Sequence, residues 1–133
     1  MHYAGDMTRT FPVAAKFTPR HKDVYEVALA SQLAAIDALK PGVMYKDIHV
    51  LAGEKIAEGL TDLGIMKGNP EDAVAAGAHA IFFPHGLGHM MGLDVHDMEN
   101  LGEDYVGYDA TVERNPQIGL KSLRLGRALE PGF

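Results

Sequence analysis

Residues 84–97 read Pro84-His85-Gly86-Leu87-Gly88-His89-Met90-Met91-Gly92-Leu93-Asp94-Val95-His96-Asp97. These fourteen residues contain three histidines, three glycines and two aspartates. His85 and His89 are four residues apart, a spacing that would present both imidazoles to one metal ion on a helix. Gly86 and Gly88 lie between them and Pro84 precedes them, so the segment is predicted to be strand and loop instead.

Two strands are predicted on either side of the glycines. The apolar run at residues 80–83 stops at Pro84, which predicts a buried strand. Residues 93–97 alternate apolar and polar side chains, which predicts a second strand with Asp94 and His96 on one face. A glycine-rich surface hairpin with incidental histidines is one interpretation of the segment. Three of the chain's seven histidines lie here between apolar strands, which favours a functional pocket.

Composition narrows the class of protein. A chain of 133 residues with 47% hydrophobic content suits one globular domain with a modest core. We expect no membrane span, since no apolar run is long enough, and no secretory signal at the N-terminus. The net charge of −6, without a Lys/Arg cluster, argues against a nucleic-acid partner.

Cysteine is absent from the sequence. This excludes disulfides, thiolate metal sites and a cysteine nucleophile, and it fits a cytoplasmic location. Any metal ion would have to be bound by His, Asp and Glu, which suit Mn, Fe, Co or Zn.

The N-terminal segment offers a candidate carboxylate. Thr8 and Thr10 favour a strand that ends at Pro12, and Asp6 lies near its start. Asp6 has two interpretations, a turn residue beside a glycine or a metal ligand. In a strand Thr8 would share the face of Asp6, where its hydroxyl could orient the carboxylate.

Three helices are predicted as scaffold. The first starts at Thr18-Pro19 and ends at Pro41-Gly42. The second runs from about Tyr45 to Leu63, with Gly64 as its C-cap. The third is short and starts at Asn69-Pro70. His21, His49 and His79 are interpreted as solvent-facing or structural, without a chemical role. Residues 98–119 are predicted to be a long surface excursion.

Two of these segments resemble a known family. Residues 6–12, DMTRTFP, are similar to the S-D-(I/M)-T-R-T-F-P segment of the metallopeptidases that include aminopeptidase P, prolidase and methionine aminopeptidase. Residues 85–97 are similar to that family's H-G-(L/I)-(G/S)-H-x-x-G-L-x-V-H-D segment, and residues 127–132 resemble its R-x-L-x-P-G-M segment. The resemblance covers nearly the whole chain and favours the Xaa-Pro branch, aminopeptidase P or prolidase.

The resemblance implies a fold and a site. The fold would be α+β and of the type nicknamed pita bread, with an antiparallel sheet and covering helices, and residues 1–133 would form part of that catalytic domain. Asp6 would bridge two divalent ions and His89 would bind one of them. Manganese is the expected metal, with cobalt or zinc as alternatives. His85 and His96 would bind substrate and assist proton transfer near the scissile carbonyl.

The sequence also departs from the family pattern. Of the family's five metal ligands, an aspartate some ten residues before Asp6 and two glutamates after the P-G-M segment fall outside residues 1–133. Glu130 precedes the Pro-Gly turn, so we do not interpret it as a ligand. The chain is therefore expected to be an internal fragment, inactive alone, that binds at most one ion weakly. Ile81, Phe83 and Val95 would be exposed, favouring a homo-oligomer.

Two functions follow from the resemblance. The first is a dinuclear-metal Xaa-Pro aminopeptidase or dipeptidase, which hydrolyses the bond before proline in peptide substrates. The second is a non-catalytic binding or scaffold module with the same fold. The presence of all four residues Asp6, His85, His89 and His96 favours the enzyme, because a module without catalysis would be expected to lose some of them.

Overall fold

A computed structural model describes residues 2–133 of the chain. Four helices appear in it: α1 (Pro19–Ala38), α2 (Tyr45–Asp62), the short α3 (Pro70–Ala75) and the single turn α4 (Glu103–Val106). Two 3₁₀ turns, Ala78–Ile81 and Glu99–Leu101, precede α4. Helices α1 and α2 pack against each other, and α3 packs on α2.

The helix boundaries follow from local side chains, as predicted. The Thr18 hydroxyl accepts a hydrogen bond from His21 N at 3.2 Å, and Pro19 occupies the first turn of α1. The Asn69 side chain accepts from Asp72 N at 3.0 Å and starts α3 in the same way. After α2 the chain turns at Gly64, whose φ of +69° favours glycine. The three predicted helices are therefore confirmed.

The strand predicted at residues 80–83 is wrong. The segment forms the 3₁₀ turn Ala78–Ile81, which buries Ala80 and Phe83 and leaves Ile81 79% and Phe82 46% exposed. Residues three apart share one side of a 3₁₀ turn, whereas a strand would have buried alternate residues. The apolar run is continuous, so it fitted both patterns.

The other predicted strands are also missing, and the predicted antiparallel sheet is not present in the part of the chain that is described. Residues 4–12 run without regular structure, and residues 93–97 form successive bends. Backbone hydrogen bonds from Gly92 N to Asp94 O and from Asp97 N to Met90 O, both 3.1 Å, hold those bends. Pairing in residues 2–133 is limited to isolated bridges, Met44 to Ala128 and Asp109 to Val112. A strand needs a partner to form its ladder, and these segments find none.

The core lies between the long helices and the segment that leads to the histidines. Phe83 packs with Ala35 of α1 and with Ile48 and Ala52 of α2. The expectation that Phe83 would be exposed is therefore wrong, whereas Ile81 and Val95 are exposed as expected. The apolar run thus anchors residues 84–97 to the helical scaffold.

A second buried cluster corrects the expected surface excursion at residues 98–119. Tyr108 and Val112 are buried with Leu123 and Leu125. The Tyr108 hydroxyl donates to Leu123 O at 2.7 Å. Residues 98–119 therefore pack against the C-terminal segment through Tyr108 instead of extending into solvent.

None of the helices in residues 2–133 is long and apolar enough to cross a membrane.

His49 and His79 are structural, one of the two interpretations offered by the sequence, and both are fully buried. His49 Nε2 lies 2.6 Å from Gly119 O, which accepts its proton. Neither ring nitrogen of His79 has a hydrogen-bond partner among residues 2–133. A Cβ atom at Gly53 would lie 3.1 Å from the His79 ring, and one at Gly119 would lie 2.6 Å away, so both glycines make room for this ring.

Acid should destabilise the chain through these two histidines. Burial lowers the pKa of His79, and it lowers the pKa of His49 despite the opposing hydrogen bond to Gly119. Below the ordinary imidazole pKa of about 6.5, the unfolded chain binds protons that the folded chain does not. The free energy of unfolding in urea should be constant above that pH and fall below it, by on the order of 1 kcal/mol.

The matched variants are His79→Leu and His21→Leu. His79→Leu should reduce this pH dependence and leave the part due to His49, whereas His21→Leu, at an exposed position of α1, should leave it unchanged. An equal pH dependence in all three proteins would contradict the assignment.

Candidate metal centre

Two distant residues meet at the centre of the candidate site. His89 Nε2 lies 2.9 Å from Asp6 Oδ2, although 83 residues separate them in the chain. The His89 side chain is 13% exposed and the Asp6 side chain 37% exposed, so the pair is partly shielded from solvent. A backbone hydrogen bond from Tyr3 N to Leu93 O, 2.9 Å, holds the N-terminal segment across residues 84–97.

The His89 ring lies between two acceptors. Its Nδ1 is 3.0 Å from Met90 O, and its Nε2 faces the Asp6 carboxylate. A neutral imidazole carries one proton, so it donates to only one of these oxygens. With that proton on Nδ1, the lone pair of Nε2 faces a carboxylate oxygen. With the proton on Nε2 the ring would instead donate to Asp6, whereas with the proton on Nδ1 the Nε2 lone pair and the carboxylate could share a cation.

His96 joins the same cluster. Its ring stacks on that of His89 with centroids 3.8 Å apart and an angle of 19° between the planes. One potential ligand atom each from Asp6, His89 and His96 lies within 4.8 Å of the others. A carboxylate and two imidazoles are a donor set that suits Mn, Fe, Co or Zn. The residues present therefore fit a divalent transition-metal ion.

His85 lies beside this cluster. Its ring packs edge-on against Phe83 with centroids 5.0 Å apart, and its Nδ1 lies 2.9 Å from Gly86 O. A cavity of about 630 Å³ is lined by His85, Asp6 and His89 together. A second cavity of about 390 Å³ is lined by His85, His89 and His96. All four predicted residues are thus neighbours, whereas their roles stay predictions.

The expected support from Thr8 is not formed. Thr8 lines the same cavity as Asp6, but no hydrogen bond joins its hydroxyl to the carboxylate within residues 2–133. The backbone carbonyl of Thr8 instead accepts a hydrogen bond from Arg9 Nη1 at 2.7 Å. Thr8 and Asp6 do not lie on a strand, so the shared face that the sequence predicted does not exist.

Two charged residues that the sequence analysis missed contact His96. Glu99 Oε1 lies 2.9 Å from His96 Nδ1, and Arg124 Nη1 donates to Glu99 Oε2 at 2.5 Å. Arg124 Nη1 also approaches His96 Nδ1. Burial raises the pKa of Glu99, but the hydrogen bonds from Arg124 and His96 outweigh it and bring the pKa below its ordinary value. Glu99 is three residues from His96, a signal in the sequence, whereas nothing local points to Arg124.

Gly86 and Gly88 allow other parts of the protein to pack directly against the backbone between His85 and His89. A Cβ atom at Gly88 would lie 2.4 Å from the Tyr45 hydroxyl, and one at Gly86 would lie 2.8 Å from Ser122 O. Tyr45 is in the first turn of α2 and is partly buried against the core, which raises its pKa. The backbone between His85 and His89 therefore rests on α2 and on the C-terminal segment.

The chain is similar to known proteins over nearly all of its length. The model of metallopeptidase family M24 matches residues 1–132. The human Xaa-Pro dipeptidase is 45% identical over 131 residues, which are 98% of this chain and 25% of that protein. A probable Xaa-Pro aminopeptidase from Verticillium alfalfae is 46% identical over 96 residues, 72% of this chain and 21% of that protein.

Solved structures agree with this similarity. Proline aminopeptidase P II from Yersinia pestis superposes with a TM-score of 0.76 and 39% identity, covering 98% of this chain and 26% of that one. A Zn-substituted Escherichia coli aminopeptidase P in complex with product gives a TM-score of 0.69 at 32% identity, covering 94% and 31% of the two chains. The chain shares the fold of these regions, and it spans about a quarter of the length of the curated relatives described above.

The contact between Gly88 and Tyr45 is open to a direct test. Gly88→Ala should destabilise the chain by about 1–3 kcal/mol, because the new methyl group displaces the partly buried phenol. In the double variant with Tyr45→Phe, the nearest ring atom is 3.3 Å from the methyl position, so part of the loss should be recovered. Urea unfolding of both single variants and the double variant measures this coupling.

Gly5→Ala serves as the control, because a methyl group added at Gly5 would lie in open space, with no atom within 4 Å. It should change the free energy of unfolding by less than about 0.5 kcal/mol. Strictly additive effects at Gly88 and Tyr45 would contradict the contact.

Proposed function

Because the chain belongs to metallopeptidase family M24, we propose that it carries part of the catalytic centre of a metal-dependent peptidase acting before proline. The observation that supports this most is the convergence of Asp6, His89 and His96 within 4.8 Å. Asp6 contacts His89 although 83 residues separate them. A surface hairpin with incidental histidines would not need such a contact. Residues 1–133 would then be one portion of a larger catalytic domain.

Asp6 and His89 would hold the metal. With its proton on Nδ1, His89 would donate to Met90 O and leave the Nε2 lone pair directed at the Asp6 side and available to a cation. Asp6 has a second carboxylate oxygen, so it could bridge two ions, as the family resemblance implies. Divalent ions in this position would polarise the scissile carbonyl and acidify a water molecule. We propose manganese as the metal, with cobalt and zinc as the alternatives.

His85 and His96 would act on the substrate. Both line the cavity of about 390 Å³ that also contains His89, so a peptide carbonyl bound there would be within their reach. The Nδ1 atom of each ring is engaged, with Gly86 O for His85 and with Glu99 for His96. Their Nε2 atoms would therefore bind the substrate or move a proton.

The substrates proposed are peptides with proline in the second position. The relatives that support this are named Xaa-Pro dipeptidase and probable Xaa-Pro aminopeptidase, and their identities to this chain are nearly equal, 45% and 46%. Dipeptides and longer peptides therefore both remain candidates. The choice depends on how much space lies beyond the proline residue.

Variants of the protein made from its complete coding sequence test the division of roles. His89→Ala should lower the bound metal and reduce turnover of an Ala-Pro substrate at least 100-fold, because a direct ligand is lost. His85→Ala should reduce kcat by a similar factor of roughly 10²–10³ while the metal content stays the same. Metal analysis beside steady-state kinetics distinguishes the two.

His21→Ala is the control for this experiment, since it lies on the exposed face of α1. Equal metal loss in the His85 and His89 variants would contradict the separate roles. If the unsubstituted protein shows no turnover with manganese, cobalt or zinc, the chain belongs to a non-catalytic module instead.

The 133-residue chain alone should be inactive and bind at most one ion weakly. The proposed ligands within residues 2–133 are Asp6 and His89, whereas two divalent ions need about four to six donors each. Exposed apolar side chains such as Phe11, Leu33 and Ile81 should also promote association into a homo-oligomer. Metal quantification, light scattering and an Ala-Pro assay of the isolated chain check this. Two tightly bound ions in an active monomer would contradict it.

A further inference from the structure

We propose that Glu99 is a positioning residue that holds His96 with its proton on Nδ1 and leaves Nε2 free for the substrate. The consequence for catalysis rests on the proposed function, whereas the effect on the His96 tautomer does not. Nothing in the family resemblance pointed to Glu99. Glu99, His96 and Arg124 contact one another in the structure.

A local turn brings Glu99 to His96. Met98 has a left-handed conformation with a φ of +54°, and it starts the 3₁₀ turn Glu99–Leu101. Glu99 therefore folds back towards a residue three positions earlier, and its Oε1 lies 2.9 Å from His96 Nδ1. Both side chains are less than half exposed, so solvent competes only partly for this contact.

Arg124 fixes the other side of the Glu99 carboxylate. Its Nη1 donates to Glu99 Oε2 at 2.5 Å from a segment 25 residues away. The positive guanidinium favours the ionised carboxylate, in agreement with the lowered pKa of Glu99. Glu99 is thus an anion whose two oxygens face two different donors.

The tautomer follows from what each group is able to donate. An ionised carboxylate only accepts, so the contact between Glu99 Oε1 and His96 Nδ1 requires the proton on Nδ1. Arg124 Nη1 also approaches Nδ1, but a guanidinium only donates, and that contact would require a bare Nδ1. A bare Nδ1 would direct its lone pair at Glu99 Oε1. That arrangement would set a lone pair against an anion, whereas Arg124 Nη1 donates to Glu99 Oε2 with either tautomer, so the tautomer with the proton on Nδ1 is favoured.

This arrangement has a consequence for the proposed reaction. With Nδ1 bound to Glu99, Nε2 carries the lone pair and is the atom of His96 able to accept a proton or a hydrogen bond. A hydrogen-bonded carboxylate also orients the ring and increases its basicity. The ring stacks on His89, so its orientation decides where that lone pair lies relative to the candidate metal site.

Long-range proton–nitrogen correlation NMR of the 133-residue chain tests the tautomer without any assay of activity. At a pH well above the ordinary imidazole pKa of about 6.5, His96 should show a protonated Nδ1. Glu99→Ala should shift the ring towards a protonated Nε2. Arg124→Met should keep the proton on Nδ1, because the Glu99 contact remains.

Two results would overturn the proposal. One is a protonated Nε2 of His96 in the unsubstituted chain, and the other is a tautomer that changes in Arg124→Met but not in Glu99→Ala. The unsubstituted chain and Arg124→Met decide the question even if Glu99→Ala does not fold. Glu58→Ala is the matched control, because Glu58 makes an ion pair of the same spacing with Lys55, at 2.7 Å, on α2.

Kinetics of the protein made from its complete coding sequence test the role in catalysis. Glu99→Ala should lower kcat about 10–100-fold with KM and metal content nearly unchanged. In the His96→Ala background, Glu99→Ala should cause no further loss, since Glu99 acts through His96. An equal loss in both backgrounds would overturn that role. If the unsubstituted protein has no peptidase activity, the proposed function fails, and the NMR result still decides whether Glu99 sets the tautomer.

Discussion

The contact between Asp6 and His89 is the interaction on which the candidate site depends. It joins two segments without regular secondary structure, at a distance of 2.9 Å and across 83 residues of chain. The Tyr3 N to Leu93 O hydrogen bond supports it nearby. A carboxylate and an imidazole nitrogen that face each other, with the second imidazole nitrogen bound to a carbonyl, form an arrangement that a shared cation would stabilise.

The helical scaffold positions the segment that carries His89. Phe83 anchors the apolar run in the core between α1 and α2, two residues before His85. Gly86 and Gly88 then allow the backbone to pack directly on Ser122 and on the Tyr45 hydroxyl. The imidazoles of the site therefore project from a segment that packs on α2 and on the C-terminal segment. The site residues do not need a strand to hold them in place, because close packing of their backbone positions them as well.

Charged residues lie beside the candidate metal ligands and contact His96. Glu99 and Arg124 form an ion pair, and both contact His96 at Nδ1. Deeper in the molecule, burial lowers the pKa of His49 and of His79. The two core histidines and the three site histidines thus differ in their surroundings. Those in the core contribute packing, and those at the site keep their access to the cavities.

The sequence by itself determined the helices and the identity of the candidate site. Helix ends depend on residues a few positions apart, such as Thr18 with Pro19 and Asn69 with Pro70, so they are legible without a structure. The two motifs that carry Asp6, His85, His89 and His96 can be recognised in the sequence for a similar reason. Their residue types and spacing are specific, and they led to the family that the comparisons then confirmed.

Only the tertiary structure decided which segments pair and which charges meet. A strand depends on a partner that is distant in the chain, so the apolar run at residues 80–83 became a 3₁₀ turn packed on α1 and α2. The proximity of Arg124 to His96, 28 residues apart, likewise has no local signal. Periodicity and caps are local properties, whereas pairing and burial belong to the whole fold, and the sequence predicts the former far better.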